Sequence, residues 1–150
     1  LICVAPDVGG VERTRALSRR INVGIAIIDK RRPTPGKSEV MNIVGDVENK
    51  ICVIVDDIID SGGTIVNAAK ALKDKGAKEV YVYITHAVLS GSALDKIRKS
   101  QIKKLIITDT IDNSKKIKTS KKIEVISIAP MISEAIKRIS NSTSVSSLFK

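Results

Sequence analysis

Short aliphatic runs alternate with helix-patterned segments along most of this 150-residue chain. LICVA, ICVIV and KLIIT are each long enough for one buried strand. The segments between several of them carry apolar side chains at helical spacing. Strands separated by helices return to the sheet in the same direction, by right-handed crossovers. The expected architecture is therefore α/β: a mostly parallel sheet with helices on both faces. The chain is 43% hydrophobic but only 2% aromatic, so its core must be aliphatic, which suits such a sheet. No internal repeat and no interior boundary interrupts the pattern. Residues 1–150 read as a single domain, ending in a serine-rich tail over 140–150.

The pattern predicts strands at LICVA, Val23–Ile28, Met41–Val44, Ile51–Val55, Val80–Thr85, Leu105–Thr108 and Ile123–Ile128. Helices are expected over Glu12–Arg20, with Ala16 and Leu17 as core contacts, and over Ala93–Lys99 and Met131–Ile139. A further helix over Gly63–Lys75 has an apolar face of Ile65, Ala68, Ala69 and Leu72, and Gly76 ends it as a C-terminal cap. KRRPTPGKSE has two prolines and no period, and Asp112–Lys122 is lysine-rich; both read as loops.

The net charge of +10 fits a polyanionic partner, either nucleic acid or polyphosphate. With no Trp and Phe149 the only Phe, the chain lacks the aromatics that a base-stacking platform needs. Cys3 and Cys52 sit inside apolar runs and read as reduced core residues, pointing to the cytoplasm. No apolar run approaches a membrane span. LICVAPD lacks the basic leader and cleavage site of a signal peptide. It begins without Met, inside a strand, and reads as one domain of a longer protein.

Ligands of open α/β sheets bind outside the carboxyl ends of the strands. Three unusual segments fall there: PDVGG, DKRRP and DDIIDSGGT. In the last, Asp60–Thr64 joins a strand to a helix. Its two glycines let successive N–H groups converge, the helix start adds positive potential, and Ser61 and Thr64 add hydroxyls. This is a phosphate cup without a lysine; the plainer reading is a helix start capped by Ser61 or Thr64. Asp56 and Asp57 point to opposite faces if the strand persists. Two adjacent carboxylates repel each other and lose hydration unless cations or hydroxyls meet them. Vicinal sugar hydroxyls and a Mg²⁺ shell are such partners. Carboxylates for a sugar beside a cup for a phosphate describe a sugar phosphate. PGKSE is not a Walker loop, because Arg31 stands where its first glycine is needed, and no G-x-G-x-x-G occurs. His86, Asp109 and Thr110 end later strands on the ligand side and are secondary candidates. Between Lys96 and Lys122 ten Lys/Arg face two acids, and this flank reads as solvated.

VIVDDIIDSGGTI resembles the ribose-5-phosphate/phosphoribosyl-pyrophosphate signature of the type I phosphoribosyltransferase fold. IDKRRPTP, APDVGGVERTRALSRRI and SVSSLF resemble the catalytic flexible loop, the pyrophosphate loop with its helix, and the C-terminal tail of class I ribose-phosphate pyrophosphokinases. The similarity spans Ile2 to Phe149 and identifies the chain as the C-terminal half of a two-domain enzyme of that family, without the N-terminal half. The resemblance implies that Asp60, Ser61, Gly62, Gly63 and Thr64 bind the 5-phosphate. Asp56 and Asp57 would hold the ribose hydroxyls and the metal shell. Lys30 would be the catalytic lysine, with Arg32 as its partner on substrate phosphates. Asp7 would bind Mg²⁺, with Gly9 and Gly10 shaping the pyrophosphate loop. Ser144 and Ser146 would belong to a regulatory phosphate or nucleotide site. Ser61 replaces the family's commoner Thr and keeps the hydroxyl.

The implied reaction moves the diphosphate of Mg-ATP to the C1 hydroxyl of ribose 5-phosphate, giving phosphoribosyl pyrophosphate and AMP. ATP and ribose 5-phosphate are the implied partners, in a cytoplasmic homo-oligomer, a hexamer of dimers, that engages neither nucleic acid nor membrane. A non-catalytic remnant, a phosphoribosyl-pyrophosphate-binding regulator and a free-standing phosphoribosyltransferase are the other readings.

Overall fold

A computed structural model describes residues 1–31 and 40–149, with side chains for all of these except 30, 31, 40, 41 and 149. The strands are Ile2–Ala5 (β1), Gly24–Arg31 (β2), Val40–Val44 (β3), Ile51–Ile59 (β4), Glu79–Ala87 (β5), Lys104–Thr108 (β6) and Ile123–Ile126 (β7). They form one sheet in the order β3-β2-β1-β4-β5-β6-β7. Every pair is parallel except β2–β3, so the antiparallel β3 forms an edge. The helices are Val11–Arg20 (α1), Gly63–Asp74 (α2), Ala93–Lys99 (α3), Ser114–Ile117 (α4) and Ala129–Ser140 (α5).

Alternate strand residues supply two buried layers. Ile2, Val4, Cys52, Ile54, Val80, Val82, Leu105 and Ile107 form one cluster with Ile65, Ala68, Ala69 and Leu72 of α2 and Ala93 and Ile97 of α3. Cys3, Ala5 and Val53 are buried but stand outside that cluster, and α1 packs against β1, β2 and β4. α1 buries Thr14 and Ser18, whereas Ala16 is exposed and Leu17 only half-buried. Hydrophobicity alone points to the wrong pair. The small hydroxyl residues fit there because each donates to its own helix, Thr14 Oγ1 to Gly10 O at 2.9 Å and Ser18 Oγ to Arg15 O at 3.0 Å, so neither is buried unpaired.

Several expected boundaries move, and β7 stops at Ile126 short of the expected Ile128. β4 continues past Val55 to Ile59, because Asp56, Ile58 and Ile59 stay in register with Ile84, His86 and Ala87 of β5. β2 continues through Lys30 and Arg31, whose backbones pair with Met41 and Val40; composition had placed both in a loop. The lysine-rich segment contains the single turn α4, and the tail closes in a 3-10 turn over Ser146–Phe149. α5 starts two residues early with Pro130 in its first turn, where a missing N–H costs nothing. α5 buries none of its residues: Met131, Ile132, Ile136 and Ile139 all face water. α2 behaves as expected, with Gly76 at φ +84° accepting the left-handed position after its last turn.

Leu72 is fully buried at the centre of the α2–sheet layer. Leu72→Ala is expected to cost about 3 kcal/mol, read as a lower midpoint in chemical denaturation. Cys3 and Cys52 are free and buried, and burial pushes the Cys52 thiol up to about 11. At pH 8 both thiols should stay closed to Ellman's reagent in the folded chain and react fully in denaturant.

Candidate functional site

The carboxyl edge of the sheet gathers two of the three unusual segments around one cavity of about 480 Å³. Asp7, Gly9, Gly10 and Arg13 line it from the β1–α1 side, and Asp56 to Ile65 from the β4–α2 side. β1 and β4 are direct neighbours, so segments fifty residues apart in sequence meet here.

The β4–α2 turn is built around Gly62, whose φ of +75° is the left-handed region that side chains resist. Gly62 is the N-cap, and the first intrahelical bond runs from Val66 N to Gly62 O at 3.0 Å. No side-chain cap closes this end, so neither Ser61 nor Thr64 serves as the expected ordinary cap. The first-turn residues of α2 line the cavity, and no side-chain cap takes up their N–H groups. The turn is braced from behind: Ser90 N donates to Asp60 O at 3.1 Å, and Lys96 Nζ to Ser61 O at 3.0 Å. Lys96 thus supports the cup through a carbonyl, although no lysine lies in the motif.

On the other wall, Asp7 Oδ1 accepts the Gly10 N–H at 2.9 Å and fixes the start of α1. A Cβ on Gly10 would lie 3.2 Å from Pro6 Cδ, and one on Gly9 3.3 Å from Asp7 Oδ1, so both glycines keep this loop tight.

Between the walls stand Asp56 and Asp57, and both are held by Arg13. Its Nη1 donates to Asp56 Oδ1, and its Nη2 to Asp57 Oδ2 at 2.9 Å. The Asp57 N–H also donates to Asp56 Oδ1, at 3.0 Å. Burial pushes the Asp56 carboxyl above its ordinary range; the Asp57 N–H and Arg13 pull it back, and the neighbouring Asp57 charge adds to the rise. The sequence reading overlooked Arg13. The only sequence clue was its place one turn beyond Gly10, on the helix that follows the first ligand loop.

Among the described residues no group of three or more Asp, Glu, His or Cys side chains could hold a metal by itself. Asp7, Asp56 and Asp57 nonetheless line one cavity beside an anion cup. That donor set fits Mg²⁺, which is commonly held by one or two carboxylates and completed by substrate phosphates and water.

The remaining candidates lie elsewhere. The Lys30 backbone sits three residues beyond Ile27, the partner of Ala5, at the same carboxyl edge as the cavity. Arg32 lies outside the described residues. Ser144 and Ser146 are bonded to each other at 2.8 Å. Ser144 lines a separate cavity of about 320 Å³ with Arg138, Thr143 and Ser147. Arg138 Nη1 donates to Ser144 O at 3.1 Å and also to Ser147 Oγ, while its Nε meets Glu134 at 2.7 Å. His86 Nδ1 lies 3.1 Å from Thr110 Oγ1, which donates to Thr85 O at 2.9 Å, so both bind strand end to strand end. Asp109 accepts from the Ser127 hydroxyl and the Ile128 N–H, and these bonds hold its carboxyl below the usual range. It fastens the entry to α5 and does not line the main cavity.

The chain is 55% identical over 150 residues to a ribose-phosphate pyrophosphokinase of Hyphomonas neptunium, covering 99% of this chain and 48% of the relative. It is 56% identical over 146 residues to the enzyme of the same name from Bradyrhizobium diazoefficiens, covering 97% and 46%. The chain thus spans about half the length of the curated relatives it matches. Phosphoribosylpyrophosphate synthetase from Mycobacterium smegmatis superposes with a TM-score of 0.83 at 33% identity, over 94% of this chain and 45% of that one. A purine phosphoribosyltransferase from Pyrococcus horikoshii Ot3 superposes with a TM-score of 0.51 at 26% identity, over 60% and 63%. The fold is the phosphoribosyltransferase-like α/β sheet that the sequence predicts. A family model described as the phosphoribosyl synthetase-associated domain matches residues 30–150, and the chain belongs to that family.

Proposed function

We propose that this chain supplies the ribose-5-phosphate site and catalytic loop of a ribose-phosphate pyrophosphokinase, as the C-terminal half of a two-domain enzyme. The observation that carries this reading is the meeting of PDVGG and DDIIDSGGT around one cavity, in a chain more than half identical to enzymes of that name. The 5-phosphate sits in the cup at Asp60–Thr64, receiving the α2 N–H groups and the Ser61 and Thr64 hydroxyls. Asp56 and Asp57 accept the ribose hydroxyls. Asp7, Gly9 and Gly10 shape the wall that receives the diphosphate. The C1 hydroxyl then attacks the β-phosphorus of ATP; the bond to the α–β bridging oxygen breaks, AMP departs with that oxygen, and the hydroxyl proton is lost. Such transfers depend on positioning and on cations placed where charge builds. Lys30 and Arg32 fill that role in this reading, which rests for them on sequence. Asp7 and the Asp56–Asp57 pair would hold Mg²⁺, which would supply positive charge against the substrate phosphates.

A cytoplasmic location, a hexamer of dimers and a regulatory phosphate or nucleotide site at Ser144 and Ser146 belong to the same reading. Two buried free cysteines and an Arg138-lined cavity beside Ser144 support it. No helix among the described residues is long and apolar enough to cross a membrane.

Calorimetry with ribose 5-phosphate tests the site. The folded chain is expected to bind it, and Thr64→Val to bind about tenfold more weakly through loss of one hydroxyl donor to a charged oxygen. Gly62→Val should weaken binding further, since a β-branched residue at positive φ deforms the cup. A folded chain that gives no heat with ribose 5-phosphate overturns the assignment. AMP release from ATP, followed with a supplied N-terminal half, tests catalysis. Binding without AMP release favours the non-catalytic regulator.

A further inference from the structure

We propose that Arg13 is a positioning residue that aims the Asp56 and Asp57 carboxylates at a pair of vicinal hydroxyls and so selects a sugar phosphate that carries both. The proposal rests on the ribose-phosphate reading above and adds the source of its sugar specificity.

The starting point is strand geometry. Asp56 and Asp57 are consecutive residues of β4, which stays in register with β5 beyond them. Consecutive strand side chains leave on opposite faces, so the strand by itself does not turn both carboxylates to one ligand. One guanidinium reaches both. Its planar fork sends Nη1 to Asp56 Oδ1 and Nη2 to Asp57 Oδ2, across 43 and 44 residues of sequence. Asp56 Oδ1 also receives the Asp57 N–H, which ties the two side chains into one ring of hydrogen bonds. Each carboxylate gives one oxygen to the fork and leaves its second oxygen for a ligand. Two acceptors held side by side match two adjacent hydroxyl donors, each donating once.

Charge points the same way. Two carboxylates with one guanidinium carry a net single negative charge. Asp56 is the more buried, 18% exposed against 58% for Asp57. Arg13 offsets part of the charge that the two carboxylates bring together. Lysine cannot substitute, because an ammonium is a point donor and cannot span two carboxylates in a fixed plane. Arg13 itself is 37% exposed and is not one of the buried residues of α1, Thr14 and Ser18, so its replacement should leave the packing of α1 intact.

The test compares ribose 5-phosphate with 2-deoxyribose 5-phosphate by calorimetry, on the wild-type chain, Arg13→Met and Arg13→Lys, with thermal unfolding to verify folding. The wild type is expected to prefer the ribose ligand about tenfold or more, because the deoxy sugar leaves one aimed acceptor unpaired. In Arg13→Met that preference should fall towards unity, with ribose 5-phosphate losing more affinity than the deoxy ligand, which offers only one of the two hydroxyls. Arg13→Lys should lose most of the preference too, and it carries the test if the Met variant does not fold. Equal weakening of both ligands would make Arg13 a phosphate contact and overturn the proposal. An unchanged preference, or tighter binding of ribose 5-phosphate, would overturn it as well. A wild type that binds ribose 5-phosphate without preferring it sinks the inference alone. One that binds neither sugar sinks the ribose-phosphate reading with it.

Discussion

β4 is hydrogen-bonded on both sides, to β1 and to β5, and this double pairing is what the rest of the molecule is arranged around. Its first half carries Cys52, Val53 and Ile54, all buried between helix layers. Its second half carries Asp56 and Asp57 beyond the last residue that β1 pairs. The same rigid ladder therefore serves as core and as site floor. Placing carboxylates there has a cost in hydration and mutual repulsion, offset by the Asp57 amide and by Arg13 from the neighbouring helix. The site borrows its precision from the sheet.

The parallel order explains which loops meet. With β1 and β4 adjacent and both ending at one edge, the β1–α1 and β4–α2 turns are forced to share a cavity. The first has Asp7 bonded to its own helix start, the second an uncapped helix start behind Gly62. Together they offer oxygen acceptors and N–H donors within one space, which is what a phosphorylated, hydroxylated ligand needs. The tail serines lie by a different cavity, lined by Arg138.

Periodicity made the elements legible because each buried face is aliphatic and regular, as in α2 with Ile65, Ala68, Ala69 and Leu72. It failed where burial does not follow hydrophobicity. Thr14 and Ser18 are buried because their hydroxyls fold back on their own helix, which no period reveals. It also failed where a partner strand overrides composition: Asp56 to Ile59 stay extended because β5 pairs with them, and Lys30 and Arg31 because β3 does. The cup and the paired aspartates could be found because each is contiguous in sequence. Arg13 could not, since its meaning comes from residues more than forty positions away.

α5 offers a contrast with this well-anchored centre. A helix of this length is marginal in water without packing, and none of its residues is buried. Its free energy of local opening must lie at the low end for this fold, so amide exchange should reach α5 long before it reaches β4. The cavity beside Ser144 is built from Arg138 on the last turn of α5 and from the residues that follow it. If the tail cavity takes an anion, as the regulatory reading proposes, its occupancy and the helicity of α5 form a single linked equilibrium.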